Sequence, residues 1–374
     1  MTEEDYRENY IKIIEARDSI NGRFTKIRKI DPKAGSGTFS LVFRAFDGDT
    51  KQDVALKFYD PCKRGVNYRE RCFERESVIL SSLKGQKDIL QIILPLTQFS
   101  RKVIDADTRI STIEKWGFFA TELANSNMLQ YINSEEATTA RNLKYFRAMV
   151  RGVQRIHNRQ ICHRDIKPEN FFRIGKEVIH LGDFGAARLL DGSMDALQDD
   201  YSHWRGDKRY TAPEQCVSIV EKPALFYIGD MYSLGAILFE MFTRQLLFPF
   251  IFNETFHQSL AEHFALMPEE RRGTMLGELV PDIAKGRQLP NISDFNDKVP
   301  NYIRNRLERL YHGLAAIDYN KRTKDFGEVF QALSVCETIL AKEKSYIEMM
   351  RLREIWRANK EKRDERSLSR REMK

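Results

Sequence analysis

The sequence predicts an α+β fold in two lobes, a small lobe rich in strands followed by a larger helical lobe. Strand-like segments alternate with turns up to residue 122, the pattern from residue 128 onward is mainly helical, and no low-complexity linker separates them. The predicted organisation is an N-terminal helical extension at 1–23, a main domain at 24–337 and a charged C-terminal tail at 338–374. Its lobes are expected at about 24–122 and 123–337.

The composition is that of an ordinary globular chain, with 42% hydrophobic and 31% charged residues among 374. The acidic, polar N-terminus MTEEDYRENY is not expected to be a secretory signal. We expect no membrane span, because no stretch approaches the roughly 18 apolar residues that one needs. Five scattered cysteines without a CxxC pair predict neither a zinc site nor a disulfide framework, and they favour a reducing, cytoplasmic setting.

The net charge of +7 is concentrated at the C-terminus, where residues 351–374 hold ten Lys/Arg and five Asp/Glu. The charge of the rest of the chain therefore does not indicate a nucleic-acid binder. Beyond Arg357 the tail has almost no apolar residue, so we expect a solvated helix or a disordered end. A basic arm that docks a partner or nucleic acid is the alternative.

Hydrophobic periodicity predicts the elements that surround the candidate site. A helix over 4–20 is expected to stop at Asn21-Gly22, and a helix over 68–84 places Phe73, Leu80 and Leu83 on one face. Strands are predicted at 24–30, 40–46, 53–59, 91–98 and 117–122, with short apolar strands near 171–181.

A glycine-rich segment, GSGTFSLV, occupies positions 35–42 between two predicted strands. Gly35 and Gly37, with Ser36 and Thr38 between and after them, let backbone N–H groups approach phosphates closely. A plain turn between two strands is the alternative interpretation. A dinucleotide-binding fold would need a helix next, and a Walker P-loop would need Gly-Lys before Ser or Thr, so neither fits.

A lysine ends the apolar strand run VALK at 54–57. A strand edge that meets water is the ordinary interpretation, but Lys57 follows Gly37 by 20 residues and precedes Glu76 by 19. An ion pair between Lys57 and Glu76 would hold the ammonium against phosphate oxygens. Glu74 is the rival partner; we prefer Glu76 because the apolar residues after it, through Leu80, are expected to face the core.

Two polar strings carry the strongest signal: HRDIKPEN at 163–170 and DFG at 183–185, in that order and with Asp165 and Asp183 18 residues apart. They resemble the catalytic and metal loops of eukaryotic-type (Hanks-type) serine/threonine protein kinases. The resemblance implies that Asp165 accepts the proton of the substrate hydroxyl. It also implies that Asn170 and Asp183 hold Mg²⁺, with Mn²⁺ as the alternative, on the phosphates of ATP. Lys167 is the form typical of serine/threonine kinases.

The resemblance covers residues 24 to about 337 and implies the bilobal protein-kinase fold, with the kinase domain at 24–337. It implies an adenine pocket in which side chains sandwich the base, a gatekeeper closes the back and hinge backbone groups bond the edge. Val42, Ala55 and Phe172 would sandwich the base, and Thr121 would be the gatekeeper. Glu122 and Ala124 would offer the hinge backbone groups. The regulatory stack of the family would include Leu80, His163 and Phe184.

Three later strings extend the resemblance: APE at 212–214, DMYSLG at 230–235 and DYNKR at 318–322. By analogy, Glu214 pairs with Arg322, and Asp230 holds the backbone of the His163-Arg164 turn. Related small-molecule kinases lack these elements, which argues for a protein substrate.

Two positions depart from the pattern. Ser40 replaces the third glycine, which is mild because the position needs a small residue. Asp207 stands where these kinases usually have Thr, and we expect its carboxylate to repel Asp165 across Lys167 and either to slow the enzyme or to swing away until a substrate or partner arrives. The alternative is that Asp207 is a necessary part of the site and orients Lys167 or a basic substrate side chain.

The segment from 183 to 214 is long and acidic. A partner for Arg164 is expected there, either phosphorylated Tyr201 or Ser202, or the built-in carboxylates Asp199 and Asp200.

These observations predict an active serine/threonine protein kinase that moves the γ-phosphoryl group of ATP to a protein hydroxyl. A pseudokinase or ATP-binding scaffold is the alternative; it would predict loss of Lys57, Asp165, Asn170 or Asp183, and none is lost. A small-molecule phosphotransferase is a third hypothesis, which the APE string at 212–214 and Asp230 oppose.

Overall fold

The computed structural model describes residues 3–30, 40–60, 62, 67–104, 111–190, 206–217 and 224–343, and in the tail 345, 348–353, 356 and 360. Over these ranges the fold is α+β, with a β-rich N-terminal lobe and a helical C-terminal lobe, which confirms the predicted fold class. The predictions for 35–38 and for 195–202 fall outside the described residues.

Six strands form the antiparallel sheet of the N-terminal lobe, in the order β1-β2-β3-β4-β6-β5. They are β1 (Ser19–Ile20), β2 (Phe24–Lys29), β3 (Ser40–Asp47), β4 (Gln52–Tyr59), β5 (Ile92–Ile104) and β6 (Ser111–Glu122). All five predicted strands are present. Strands β5 and β6 are longer than predicted because they pair as a hairpin from Ile92 opposite Thr121 out to Ile104 opposite Ser111.

The two faces of this sheet have different surroundings, because successive side chains of a strand point to opposite sides. Leu56 and Phe58 of β4 are buried in an aromatic cluster on one face, where Phe58 stacks on Phe118. Lys57 lies on the other face, directly across from Val42 of β3 and from Phe119 of β6. The sheet therefore buries one face and offers the other to the site.

Helix α1 (Glu3–Glu15) covers the aromatic face of the sheet. Its buried Tyr10 lies 4.3 Å from the ring of Trp116, centroid to centroid, and Arg7 pairs with buried Asp60 at 3.1 Å. The helix ends earlier than the predicted 4–20, because Ser19 and Ile20 pair with β2 before the turn at Asn21 and Gly22.

Helix α2 (Asn67–Ser82) packs on the opposite face of the sheet, against β5. Phe73, Leu80 and Leu83 are buried as predicted. Val78 is 54% exposed, so the expectation that the whole apolar run after Glu76 faces the core is wrong at this position. The reason is periodicity, since a helix turns by 100° per residue and buries only part of a continuous run.

The C-terminal lobe is built from eight helices among the described residues. They are α3 (Met128–Ile132), α4 (Thr139–His157), α5 (Ala224–Thr243), α6 (Phe248–Ile251), α7 (Phe256–Ala265), α8 (Glu269–Ala284), α9 (Asn301–Leu314) and α10 (Phe326–Ala341). Helix α5 is central, and Gly235 lets it approach the end of α9, because a Cβ there would lie 2.5 Å from the backbone nitrogen of Ala315.

Helix α5 is long and apolar enough to cross a membrane by length and composition alone. The expectation that no stretch reaches this length is therefore wrong. In the structure nearly all its residues are buried by neighbouring elements, among them α4 and α9.

Short strands in the C-terminal lobe position the catalytic residues. Strands β7 (Ser126–Asn127), β9 (Phe171–Ile174) and β10 (Val178–Leu181) form one antiparallel sheet, and β8 (Ile161–Cys162) pairs with β11 (Arg188–Leu189). The string HRDIKPEN follows β8 and ends at β9, and the DFG string follows β10. Both strings therefore begin where a paired strand ends.

Candidate active site

Lys57 is paired with Glu76, as the spacing predicts. The ammonium Nζ lies 2.6 and 2.8 Å from the two carboxylate oxygens of Glu76 and 3.4 Å from Oδ1 of Asp183. Glu74, the rival partner, is exposed on the other side of α2. Burial alone would lower the pKa of Lys57, but the charges of Asp183 and Glu76 outweigh it and raise that pKa above its ordinary value. Lys57 is therefore positively charged at neutral pH, and its ammonium is held in place by Glu76.

Asp183 adopts a left-handed backbone conformation, with φ of 60° and ψ of 65°. This turn sends Phe184 into the core, where its ring centroid lies 5.0 Å from that of His163. Leu80 is buried in the same cluster, so the predicted stack residues share one core. Burial opposes ionisation, yet Lys57, Lys167 and His163 lower the pKa of Asp183 below its ordinary value. The carboxylate is thus held ionised.

Asp165, Lys167 and Asn170 form one hydrogen-bonded group. Lys167 Nζ donates to Oδ2 of Asp165 at 2.8 Å, and Asn170 Nδ2 donates to the backbone oxygen of Asp165 at 2.8 Å. Burial alone would lower the pKa of Lys167, but the charges of Asp165 and Asp183 raise it. Lys167 therefore links the aspartates of the two strings electrostatically.

A divalent metal fits the residues present. Asn170 uses its amide N–H groups on Asp165, and its amide oxygen makes no hydrogen bond to any described residue. That oxygen and the ionised Asp183 are hard ligands of the kind Mg²⁺ prefers. No cluster of three or more His, Cys, Asp or Glu able to hold a metal occurs among the described residues, so phosphate oxygens and waters would complete the coordination.

The residues assigned to the adenine pocket share one face of the sheet. Ala55 lies directly opposite Thr121, and Val42 lies opposite Lys57. Phe172 is half-buried on β9, opposite His180. The adenine contacts of these residues stay predictions.

The hinge is anchored by a contact that the sequence analysis missed. Oε1 of Glu122 accepts from the backbone N–H of Gln91 and from His180, at 2.8 and 2.6 Å. The backbone N–H of Ala124 bonds no described residue, which leaves it free for a ligand.

Two buried carboxylates, Asp230 and Glu214, make the contacts that the resemblance implies. Asp230 accepts from the backbone N–H groups of His163 and Arg164 at 2.8 and 2.9 Å. The Arg322 guanidinium donates to both oxygens of Glu214, and neither side chain is exposed. His157, which also contacts Asp230 at 2.9 Å, was not predicted.

The expected position of the Asp207 carboxylate is wrong, and the slow turnover expected from it stays a prediction. Its backbone N–H, not its carboxylate, contacts Asp165, donating to Oδ1 at 3.0 Å. The carboxylate instead bonds Arg209, whose Nε and Nη2 donate at 2.9 and 2.5 Å. Burial alone would raise the pKa of Asp207, but the hydrogen bonds from Arg209 lower it. The predicted repulsion fails because a cation two residues away pairs with the carboxylate.

Gly206 makes this contact with Asp165 sterically feasible. Its φ is +98°, and a Cβ would lie 2.5 Å from the carbonyl oxygen of Arg164. Only glycine lets the segment approach the catalytic loop this closely.

A second unpredicted group lies behind Asp207. The hydroxyl of Tyr210 donates to Oε2 of buried Glu240 at 2.7 Å. Burial, with added repulsion from Glu169 and Asp207, raises the pKa of Glu240 to about 7. A glutamate ten residues after Asp230 on α5 was the only sequence signal for it.

Glu240→Gln should change how stability depends on pH. A carboxyl with a raised folded-state pKa stabilises the protein fully below about pH 4.5, and that contribution is lost as pH rises through about 7. We therefore expect the free energy of unfolding of the wild type to fall by about 3 kcal/mol more than that of Glu240→Gln between these pH values. Urea unfolding at several pH values measures this, with exposed Glu135→Gln as control. Parallel curves for wild type and Glu240→Gln would contradict the assignment.

Comparison with known proteins gives a consistent result. A family model described as protein kinase domain matches residues 28–333. Mitogen-activated protein kinase 15 of Oryza sativa subsp. japonica is 29% identical over 228 residues, 59% of this chain and 42% of that protein. The mitogen-activated protein kinase homolog NTF6 of Nicotiana tabacum is 28% identical over 276 residues, which are 71% of this chain and 67% of that protein. The mitogen-activated protein kinase homolog MMK2 of Medicago sativa is 26% identical over 300 residues, which are 78% of this chain and 73% of that protein. The match thus spans less than half of the rice protein.

Proposed function

This chain belongs to the protein kinase family, and we propose that it transfers the γ-phosphoryl group of ATP to serine and threonine hydroxyls of protein substrates. The predicted family and enzyme class, a serine/threonine protein kinase, are confirmed by the family match and by the relatives named above. The observation that carries the proposal is the position of Lys57, bonded to Glu76 and 3.4 Å from Asp183.

The chemistry follows from the charges around this lysine. Phosphoryl transfer depends mainly on positioning and on stabilising charge at the phosphoryl oxygens. Lys57 is a fixed cation for those oxygens, and Lys167 is a second one beside Asp165. A bound Mg²⁺, held by Asn170 and Asp183, would neutralise further phosphate charge. Asp165 would orient the substrate hydroxyl and accept its proton.

The alternatives have less support. A pseudokinase or scaffold does not need the Lys57–Glu76 contact, the ionised Asp183 or the Lys167–Asp165 bond, and all three are present. A small-molecule phosphotransferase remains opposed by the Glu214–Arg322 pair and by Asp230, which resemble elements of kinases with protein substrates.

Further parts of the proposal rest on the sequence. Mg²⁺ is the proposed metal, with Mn²⁺ as alternative, because the donors are oxygens. Five free cysteines, four of them buried, support a reducing, cytoplasmic location. The burial of helix α5 by its neighbours supports a chain without a membrane span. The basic residues of 351–374 support a tail that docks a partner or nucleic acid.

Incubation with γ-labelled ATP, Mg²⁺ and a degenerate peptide library, followed by phosphoamino-acid analysis, tests the proposal. Label on phosphoserine and phosphothreonine is expected. Label confined to phosphotyrosine, or transfer only to small molecules, would contradict the substrate class.

Thr121→Met should close the space behind the adenine. Thr121 is buried and lies opposite Ala55, so a longer side chain would fill the region that bulky inhibitors enter. We expect such inhibitors to weaken at least tenfold, about 1.4 kcal/mol, while KM for ATP changes little. Inhibition constants for wild type, Thr121→Met and the exposed control Thr112→Met decide it. Equal inhibition of wild type and Thr121→Met would show that Thr121 is not the gatekeeper.

A further inference from the structure

The segment that carries Asp207 contacts the proposed catalytic base through a backbone N–H and holds a carboxylate paired with a guanidinium. Asp207 is connected to Asp165 through its backbone N–H and to Arg209 through its side chain. Arg209 also donates to Oε1 of Glu169 at 3.1 Å, so it bridges two carboxylates. Glu169 belongs to the string that holds Asp165. Arg209 thus ties the segment after Gly206 to the catalytic loop.

The charges around this bridge are unbalanced without Arg209. The charged groups around Asp207 and Arg209 are Asp165 and Lys167 in the catalytic loop, Glu169 in the short 3-10 helix that ends this loop, and Glu240 on α5. Of the described residues with charge in this group, only Lys167 and Arg209 are cations. Lys167 is already bonded to Asp165 at 2.8 Å. Removal of Arg209 would leave Asp207 and Glu169 without their counter-ion.

We infer that Arg209 is a positioning residue for phosphoryl transfer: it neutralises Asp207, which replaces the usual neutral side chain, and holds the Asp207 N–H on Asp165. Asp207 and Arg209 therefore act as one unit: a carboxylate at 207 is tolerated beside the base only with Arg209, and without Arg209 position 207 needs a neutral side chain. This inference rests on the proposed function.

The lowered pKa of Asp207 agrees with this unit, because the Arg209 hydrogen bonds outweigh the effect of burial. The pKa of Arg209 is raised, first by its hydrogen bond to Asp207. Both groups are therefore charged at neutral pH, and their bidentate geometry is that of a strong pair.

Arg209→Gln tests the unit by comparing its effect on kcat with its effect on KM for ATP. We expect kcat to fall about tenfold or more with KM for ATP nearly unchanged, since the ATP-facing residues are untouched. In Arg209→Lys, which keeps the positive charge, kcat should fall less than in Arg209→Gln. Arg244→Gln, at an exposed arginine paired with Glu135, is the matched control.

The decisive arm is the double variant Asp207→Thr/Arg209→Gln. It has no carboxylate at position 207 to neutralise, so kcat should recover to within a few-fold of wild type. A merely structural bridge from Arg209 to Glu169 would not be rescued this way. Unchanged kcat in Arg209→Gln, or no recovery in the double variant, would overturn the inference.

An arm without catalysis separates this inference from the proposed function. In the wild type, the lowered pKa of Asp207 stabilises the protein above about pH 4, and this is lost on acidification. In Arg209→Gln the carboxylate of Asp207 lacks its partner, so the free energy of unfolding of this variant should fall as pH rises from 4 to 7. Adding Asp207→Thr to Arg209→Gln should remove that fall. Parallel pH–stability curves for wild type and Arg209→Gln would overturn the inference even if the unaltered chain transferred no phosphate. A lack of phosphate transfer by the unaltered chain would by itself overturn only the proposed function.

Discussion

Asp183→Asn is expected to abolish phosphoryl transfer while leaving the fold intact. The carboxylate is held ionised by Lys57, Lys167 and His163, and it is the proposed principal ligand of the metal. An amide keeps the shape but removes the charge that binds a hard cation. Because transfer depends mainly on charge stabilisation at the phosphate, we expect less than a few per cent of the wild-type rate.

Thermal unfolding and labelled-phosphate transfer, measured on the same preparation, check this expectation. Asp53→Asn is a suitable control, because Asp53 is an exposed carboxylate on β4, the strand that carries Lys57. A variant that melts like the wild type and still labels substrate at more than a few per cent of its rate would show that Asp183 is not the main metal ligand.

Arg322→Met is expected to cost about 3–5 kcal/mol of unfolding free energy, since it leaves the charge of Glu214 buried and unpaired. Arg322 also donates to the backbone oxygens of Ala316 and Ile228, at 2.9 Å each, and these carbonyls lose a donor. Urea denaturation measures the loss.

A second variant separates charge from packing. Glu214→Leu combined with Arg322→Met buries no unpaired charge and should recover part of the stability. Arg44→Met, which breaks the exposed pair with Asp53, should cost about 0–1 kcal/mol. A loss below 1 kcal/mol for Arg322→Met, or a double variant no better than the single one, would contradict a buried ion pair at this position.

The contact between Lys57 and Glu76 shows what sequence pattern can predict. Strand alternation puts Lys57 on the face opposite Leu56 and Phe58, and helix periodicity puts Glu76, not Glu74, toward that face. Both rules are local, so they can be applied to the sequence without knowledge of the tertiary structure. The same logic failed at Val78, where a continuous apolar run concealed the helix period.

Asp207 shows what pattern could not predict. The resemblance located the residue beside Asp165, but side-chain direction depends on neighbours that the family pattern does not name. Arg209 lies only two residues further, and the turn after Gly206 brings its guanidinium onto the carboxylate. The pair of Tyr210 with Glu240 was missed for a related reason, because it joins segments 30 residues apart.

The central claim is that this chain is itself an active serine/threonine kinase. Its most direct test is the turnover of the purified chain alone, with γ-labelled ATP, Mg²⁺ and a serine/threonine peptide library, beside Asp183→Asn. Repeated transfer far above the Asp183→Asn background is the predicted result. ATP binding without transfer above that background, in correctly folded protein, would contradict the claim and support an ATP-binding scaffold.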